Sequence, residues 1–278
     1  MGGRALVLGG GGVTGIAWEL GILAGLAEAG VDVTGADQVV GTSAGSVVGA
    51  IITGGEPVQR AYERQLLPAP TERAAKVGFG VLIRYAGAAF TTRDPQRSRA
   101  NLGRMALAAR TVPEQERRDI IAARLAGLDW SPAQRLRVTA VAADNGEFVV
   151  FDRDSGVSLV DAVAASCAVP LIWPPATVNG RRYVDGGART PANVDVASGS
   201  DAVVVLAPIA VAALPAGRPR AQLDALPAGT RTLLVTPDVP ARRAIGRNVL
   251  DPAQRAAAAR AGRLQAAGLV AAVRSVWQ

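Results

Sequence analysis

The stretch Val39-Val40-Gly41-Thr42-Ser43-Ala44-Gly45 places a serine between two glycines, directly after an apolar run. A strand that turns sharply into a helix, with a strained serine at the turn, needs small neighbours so that the two backbones can pass. The flanks agree, because residues 36–40 are predicted to form a short strand and residues 44–53 a helix. Ser43 would then lie at a helix N-terminus, where free N–H groups favour developing negative charge. An ordinary glycine-rich turn has the same spacing, so the pattern alone only suggests a nucleophile at Ser43.

The base that would activate this serine cannot be imidazole, because the chain contains no histidine. A serine hydroxyl is a poor nucleophile until a base takes its proton. In Tyr183-Val184-Asp185-Gly186-Gly187, a predicted strand over 182–184 ends at a carboxylate, and the two glycines allow close approach of other backbone. Asp-Gly-Gly is also a common turn. Next to a candidate nucleophile it makes Asp185 the leading candidate for the base, one that works best when desolvation raises its pKa.

A glycine-rich loop supplies candidate donors for a tetrahedral intermediate. A predicted strand over 4–8 runs directly into Gly9-Gly10-Gly11-Gly12-Val13-Thr14-Gly15, and a predicted helix follows through residue 29, with Gly30 after its end. Backbone amides in such a loop have no side chains in front of them, which suits an oxyanion hole. The expected donors are the amides of Gly10, Gly11, Gly12 and Ala44.

The same loop also fits the G-x-G-x-x-G pattern of dinucleotide-binding proteins, at Gly10, Gly12 and Gly15. That function requires an acidic residue at the end of the second strand, where it would hold a ribose. Asp32 and Asp37 both precede that strand, and its end is occupied by the Gly-Thr-Ser-Ala-Gly sequence. Nucleotide binding therefore stays open as an alternative function from a different class.

Taken together, these motifs resemble those of the patatin-like phospholipase family. The resemblance rests on residues 10–15 as the oxyanion loop, 41–45 as the nucleophile elbow, 165–170 as an intermediate block and 185–187 as the Asp block. The motif glycines are Gly15, Gly41, Gly45, Gly186 and Gly187. Order and spacing match over about residues 4–192.

This resemblance implies a Ser43–Asp185 catalytic dyad, an acyl-enzyme, lipid acyl hydrolysis, and a three-layer α/β/α fold with a mostly parallel sheet. The family usually has Arg or Lys where this chain has Thr14, so we expect Thr14→Arg to be tolerated. A catalytically weak lipid-binding protein of the same fold is a further alternative.

With 278 residues, 49% of them hydrophobic, the chain is long enough to form one large α/β domain over 1–278. Residues 56–130 carry helical patterns and no convincing strand, which indicates a helical insertion in the motif-bearing core. This insertion either covers the site as a lid and acyl-binding region or simply packs on the sheet. Further strands are predicted at 137–143, 147–151, 202–206 and 232–235, and further helices at 158–168 and 252–276.

The composition argues against cofactors and nucleic acid. With no histidine and one cysteine, the usual zinc ligands are missing, and Cys167 lies in an apolar, alanine-rich stretch typical of a buried structural thiol. The net charge is +7, but the arginines are scattered among alanines and aromatic residues make up only 4% of the chain, so stacking platforms for nucleic acid are lacking. We therefore expect neither a metal nor an organic cofactor.

The expected partners are a lipid ester and, transiently, an anionic membrane surface. We see neither a signal peptide nor an uncharged apolar run of the roughly 18 residues that a membrane span needs, which predicts a cytoplasmic protein with peripheral membrane contact. The apolar run 77–90 is about 14 residues long and is interrupted by Arg84. The basic residues expected to meet the membrane are Arg84, Arg93, Arg97, Arg99, Arg104 and Arg110.

Overall fold

One mixed β-sheet lies at the centre of the computed structural model, which describes residues 2–68, 87, 92–133 and 135–278. Its strand order is β5-β6-β3-β2-β1-β7-β8, and β4 also pairs with β3. The strands are β1 (Arg4–Leu8), β2 (Gln38–Thr42), β3 (Leu136–Ala142), β4 (Phe148–Phe151), β5 (Ala176–Val178), β6 (Arg181–Asp185), β7 (Ala202–Leu206) and β8 (Arg231–Val235).

The register of β3 brings the ends of two other strands together. β1, β2, β3, β7 and β8 are parallel, whereas β4 and β6 run antiparallel to β3. Thr42, the last residue of β2, pairs with Thr139. Asp185, the last residue of β6, pairs with Ala140, the next residue along β3. The ends of β2 and β6 therefore meet, although they are about 140 residues apart in sequence.

The predicted strands are confirmed: those over 4–8 and 202–206 have the predicted bounds, the others shift by one or two residues, and β2 extends to Thr42. One further strand, the three-residue β5 paired with β6, was not predicted from the sequence. Asn179 and Gly180 join the two strands and both have positive φ, 47° and 77°. An Asn-Gly pair is a strong hairpin signal and could have revealed this strand.

The described residues form ten α-helices: α1 (Gly12–Glu28), α2 (Ala44–Thr53), α3 (Val58–Leu66), α4 (Pro95–Leu107), α5 (Glu114–Leu125), α6 (Leu159–Ser166), α7 (Pro219–Asp224), α8 (Val239–Ile245), α9 (Arg255–Ala266) and α10 (Val270–Trp277). The prediction of one long helix over 252–276 is wrong. A break at 267–269 separates α9 from α10, because Gly268 lies there and glycine is a poor helix former.

Helices cover both faces of the sheet, which confirms the three-layer α/β/α architecture. Side chains alternate between the faces along each strand. Leu6 and Leu8 belong to the larger core, with residues of α1, α2, α6 and α9. Ala5 and Val7 face the other way and pack with residues near 192–197 and with Leu223 of α7. On that second face, α4 contributes Ala106 to a small cluster with Val141 and Val184.

The predicted insertion over 56–130 contributes packed helices in its described part. There, α3 packs against α1 and α9, and α5 packs against α6. No strand occurs in residues 56–68 or 92–130. The apolar run 77–90 and Arg84 lie outside the described residues apart from Gly87, so the lid function stays a prediction.

Candidate active site

Ser43 sits at the turn between β2 and α2 in a conformation that non-glycine residues rarely adopt. Its φ is 53° and its ψ is −114°, and the residue is only 8% exposed. Such backbone strain costs on the order of 1–3 kcal/mol and persists only where the surroundings enforce it. The elbow glycines make the turn possible: a Cβ at Gly41 would lie 2.5 Å from the Cα of Ser46, and a Cβ at Gly45 would overlap the Leu8 carbonyl.

Hydrogen bonds with three side chains fix the backbone of Ser43. Its amide donates to Oγ of Ser166 at 2.9 Å. Its carbonyl accepts from Oγ of Ser46 at 2.6 Å and from Sγ of Cys167 at 3.3 Å. Cys167 is buried, as the sequence predicted, and its thiol has this additional contact. Neither Ser46 nor Ser166 was predicted to have a role, although Ser166 lies in the block over 165–170.

Asp185 meets Ser43 at the end of β6 and is almost completely buried. The residue is 4% exposed, and its Oδ1 accepts a hydrogen bond from the Gly187 amide at 2.7 Å. Burial raises the pKa of Asp185 to about 6, and this rise is opposed by a side-chain hydrogen bond from Ser43, by the Gly187 amide and by the charge of Arg117. Gly186 has to be glycine because a Cβ there would lie 2.6 Å from the Thr139 carbonyl oxygen. The two candidate dyad residues thus lie where the ends of β2 and β6 meet, and the Ser43 hydroxyl lowers the pKa of Asp185.

The glycine loop lies beside Ser43 and is bonded to the elbow. The Gly45 amide donates to the Gly9 carbonyl at 3.0 Å, and a Cβ at Gly10 would lie 3.6 Å from the Cβ of Ser43. We revise the expectation that Gly10 is an oxyanion donor, because its amide already donates to the Pro191 carbonyl at 2.7 Å.

Three of the four expected donors have no acceptor in the described part of the chain. These are the amides of Gly11, Gly12 and Ala44. Gly12 and Ala44 are the first residues of α1 and α2, and the first amides of a helix lack partners within the helix. Two helix N-termini therefore bring free N–H groups to the edge of the sheet where Ser43 lies, at the carboxyl ends of β1 and β2. This arrangement is suited to a developing anion.

Thr14, the departure from the family pattern, is completely buried. Its amide and its Oγ1 both donate to the Val249 carbonyl, each at 3.2 Å. The loop is thereby tied to a segment near the C-terminus. We revise the expectation that Thr14→Arg is tolerated, because an arginine in this place would bury a charge and lose the hydrogen bond that the Thr14 hydroxyl donates.

Behind the loop, α1 carries a fully buried carboxyl group. Glu19 has no exposed surface, and among the described residues neither of its oxygens has a hydrogen-bond partner of normal geometry. Burial raises the pKa of Glu19 well above its usual range, and the nearby Gly9 amide, which donates to Leu206 at 2.9 Å, opposes this only in part. The folded protein therefore binds the Glu19 proton more tightly than the unfolded chain does.

Glu19→Gln is expected to raise stability at alkaline pH. In the wild type, the stabilising contribution of the protonated carboxyl is fully present below the unfolded pKa and is lost as pH rises from there towards the raised folded pKa. Glutamine has nearly the same shape and does not ionise. The variant should therefore gain in melting temperature over the wild type at about pH 8, but not at about pH 4. Thermal unfolding across this range measures the gain, and a gain independent of pH would contradict the assignment.

Neither candidate acidic residue, Asp32 or Asp37, lies where a dinucleotide-binding site would need it. Asp37 accepts a hydrogen bond from the Arg4 amide at 2.7 Å, and Asp32 accepts one from the Thr34 amide at 2.7 Å. Both lie before β2, whereas the carboxyl end of β2 leads into Ser43. In the part of the chain that the structure describes, no group of three or more His, Cys, Asp or Glu side chains is placed to hold a metal ion.

A family model described as "Patatin-like phospholipase" matches residues 6–198. The chain belongs to this family. The matched residues include the glycine loop, Ser43 and Asp185, so the resemblance drawn from the motifs is confirmed. Patatin-like proteins are lipid acyl hydrolases, and lipid hydrolysis is the activity that membership indicates for this chain.

Two solved structures align with nearly the whole patatin-like chain. VipD from Legionella pneumophila is 16% identical with a TM-score of 0.47, and the alignment covers 98% of this chain and 67% of VipD. The type III effector protein ExoU is 18% identical with a TM-score of 0.45, and the alignment covers 97% of this chain and 53% of ExoU. The chain thus spans about two thirds and about half of their lengths. No curated protein matches it in sequence.

Proposed function

We propose that this patatin-like chain cleaves a carboxylic ester of phospholipid or of another lipid, with Ser43 as nucleophile and Asp185 as base. The observation that carries the proposal is that the strand ends bring together a strained serine at a helix N-terminus and a buried aspartate whose pKa is raised to about 6. Desolvation makes this carboxylate a better base than an exposed one, while leaving it ionised at neutral pH.

The reaction would follow in two halves. Asp185 takes the proton of the Ser43 hydroxyl as Oγ attacks the ester carbonyl carbon, and the amides of Gly11, Gly12 and Ala44 stabilise the oxyanion. The intermediate collapses to an acyl-enzyme, and Asp185 returns the proton to the departing alcohol. Asp185 then takes a proton from water, which attacks the acyl-enzyme, and passes that proton to Ser43 Oγ as the ester bond breaks, so that the carboxylic acid and free Ser43 are released with Asp185 ionised again.

Covalent labelling tests this proposal directly. A fluorophosphonate probe should modify the wild type, and mass spectrometry should locate the adduct on Ser43. Ser46→Ala should still be labelled, because that hydroxyl holds the Ser43 carbonyl and has no base of its own. A panel of phospholipids and neutral lipid esters, compared with Ser43→Ala, would then identify the substrate. Absence of labelling, together with stabilisation by NAD, would instead favour the nucleotide-binding alternative.

The activity is expected to require the ionised form of Asp185. For a soluble p-nitrophenyl ester, kcat/KM should rise with pH through a midpoint of about 6 and then level off. Below the midpoint it should fall about tenfold per pH unit, because only the ionised fraction can accept a proton. A pH profile between about 4.5 and 9 checks this, and a flat profile would argue against a desolvated carboxylate as the base.

We also propose peripheral contact with an anionic membrane through the arginines around α4. Arg93, Arg97 and Arg104 are exposed, whereas Arg99 is half-buried and donates to the Gly146 carbonyl at 2.8 Å. Arg99 therefore holds α4 on the turn between β3 and β4 and is a poor membrane contact. In the described part of the chain, no helix is long and apolar enough to cross a bilayer.

Replacing Arg93, Arg97 and Arg104 by glutamine is expected to weaken binding to phosphatidylglycerol vesicles at low salt. Each arginine near an anionic surface contributes roughly 1 kcal/mol, and salt screens this attraction. Vesicle co-sedimentation measures the binding. A control with Arg218, Arg231 and Arg243 changed to glutamine has the same net charge as the first triple variant and should bind like the wild type. Equal losses in the two triple variants, or equal binding to neutral vesicles, would refute a specific surface.

A further inference from the structure

A buried arginine from outside the sequence motifs lies close to the proposed dyad. Arg117 belongs to α5 and is only 7% exposed. Its guanidinium lies over the ring of Trp173, 4.3 Å from the centroid. A buried cation is costly unless nearby negative charge and hydrogen bonds compensate it. Contact with an aromatic face offsets part of that cost and also fixes the position of the charge.

Trp173 places this cation next to the segment that anchors Asp185. The Trp173 amide donates to the Val169 carbonyl at 2.9 Å, and the Asp185 amide donates to the adjacent Ala168 carbonyl at 3.0 Å. The ring under Arg117 and the backbone of Asp185 are therefore held by neighbouring residues of one short segment. The packing of α5 on α6, which precedes this segment, brings Arg117 to it.

Within the described residues, Asp185 is faced by few groups that carry charge or titrate. They are the Ser43 hydroxyl from the elbow, the Cys167 thiol after α6 and Arg117 from α5. Burial, and to a smaller extent the charge of Asp185, raises the pKa of the Cys167 thiol, so this thiol stays neutral. Arg117 lowers the pKa of both Asp185 and Cys167, which agrees with a position close to both.

We infer that Arg117 is a positioning residue of the proposed dyad, a buried cation that stabilises the ionised form of Asp185 beside Ser43. The inference rests on the proposed function. Burial alone favours a protonated carboxyl, which cannot take the proton of the serine. A nearby opposite charge favours the ionised form. The opposing effects leave Asp185 desolvated enough to be basic and ionised enough to act at neutral pH.

The test compares pH profiles of kcat/KM for Arg117→Met, Arg117→Lys and Arg118→Met. Arg117→Met removes the charge and keeps an apolar stem, so the midpoint should move by about one pH unit towards alkaline pH. Activity should then fall about tenfold at pH values below both midpoints and stay unchanged near about pH 9. Arg117→Lys keeps the positive charge, so its pH profile should have the wild-type midpoint. Arg118→Met is the matched control, because Arg118 lies on the same helix and pairs with Asp161 at 2.7 Å.

Several outcomes would overturn the inference. A loss of activity of equal size at every pH would show that Arg117 only supports the fold, and an equal shift in Arg118→Met would show a general effect of net charge. If Arg117→Met does not fold, Trp173→Leu, which removes the ring under the guanidinium, should move the midpoint in the same direction, and an unchanged midpoint would refute the proposal. The rate of fluorophosphonate labelling, measured across the pH range, tests the proposed function separately from the inference about Arg117. No labelling at any pH defeats the proposed function, whereas labelling with an unmoved midpoint in Arg117→Met defeats this inference alone.

Discussion

Ser43→Ala and Asp185→Asn are each expected to lower kcat by on the order of 10⁴-fold or more, and the double variant should be little worse than either. The two side chains would act as a unit, because the serine is a weak nucleophile without a base and the base has nothing to activate without the serine. Hydrolysis of a p-nitrophenyl ester, measured at about pH 8 where Asp185 is ionised, gives the three values.

Neither substitution should unfold the protein. Asparagine retains the oxygen that accepts the Gly187 amide, and it removes a carboxylate whose raised pKa shows that its ionised form is unfavourable in the folded state. Asp185→Asn should therefore melt no lower than the wild type at about pH 8, since the wild-type stability falls as pH rises from the unfolded pKa to the folded one. Asp144→Asn, which changes an exposed carboxylate in the turn between β3 and β4, is the control and should keep full activity. Near-normal hydrolysis by Asp185→Asn would mean that another residue is the base.

The sequence predicted the elbow and the sheet because their requirements are local. Gly41 and Gly45 are needed where one backbone crosses another, and that requirement is visible in the spacing around the serine. The strands are short, apolar and bounded by turn residues, so their existence was clear although their ends shifted. The short strand β5 was missed because only three of its residues pair and its signal lies in the turn that follows.

The rest of the site depends on contacts between distant residues, which local patterns do not show. Gly10 has the same sequence signature as Gly11, yet its amide is bonded to Pro191, about 180 residues away. Thr14 is held by Val249, outside the residues that the family model matches. Arg117 lies on an ordinary charged helix, and only the packing of that helix brings the side chain to Trp173, beside the segment that anchors Asp185. A buried arginine beside a candidate acid could not have been distinguished from a solvated one in the sequence.

The geometry of Gly12 makes the glycine loop the second place where a small change should have a large effect. Its φ is 60°, in the region that L side chains rarely adopt. A Cβ at this position would lie 2.5 Å from the Val249 carbonyl oxygen and 2.8 Å from Cδ2 of Leu250. The backbone would have to move to relieve these contacts. Because Gly12 begins α1 and its amide is a proposed oxyanion donor, that movement would displace the donor from its position.

Gly12→Ala is therefore expected to lower kcat by roughly 100-fold, the cost of losing one well-placed oxyanion donor. The control is Gly55→Ala, since Gly55 also has a positive φ, 86°, but no atom lies within 4 Å of its added Cβ. Both variants should lose on the order of 1 kcal/mol of stability from the strained backbone. Gly12→Ala should lose more, because of its contacts with Val249 and Leu250, whereas Gly55→Ala should keep its kcat/KM. Steady-state kinetics and thermal unfolding of both variants separate strain from catalysis. A folded Gly12→Ala protein with unchanged kcat/KM would remove this loop from the mechanism and leave the Ala44 amide as the remaining donor.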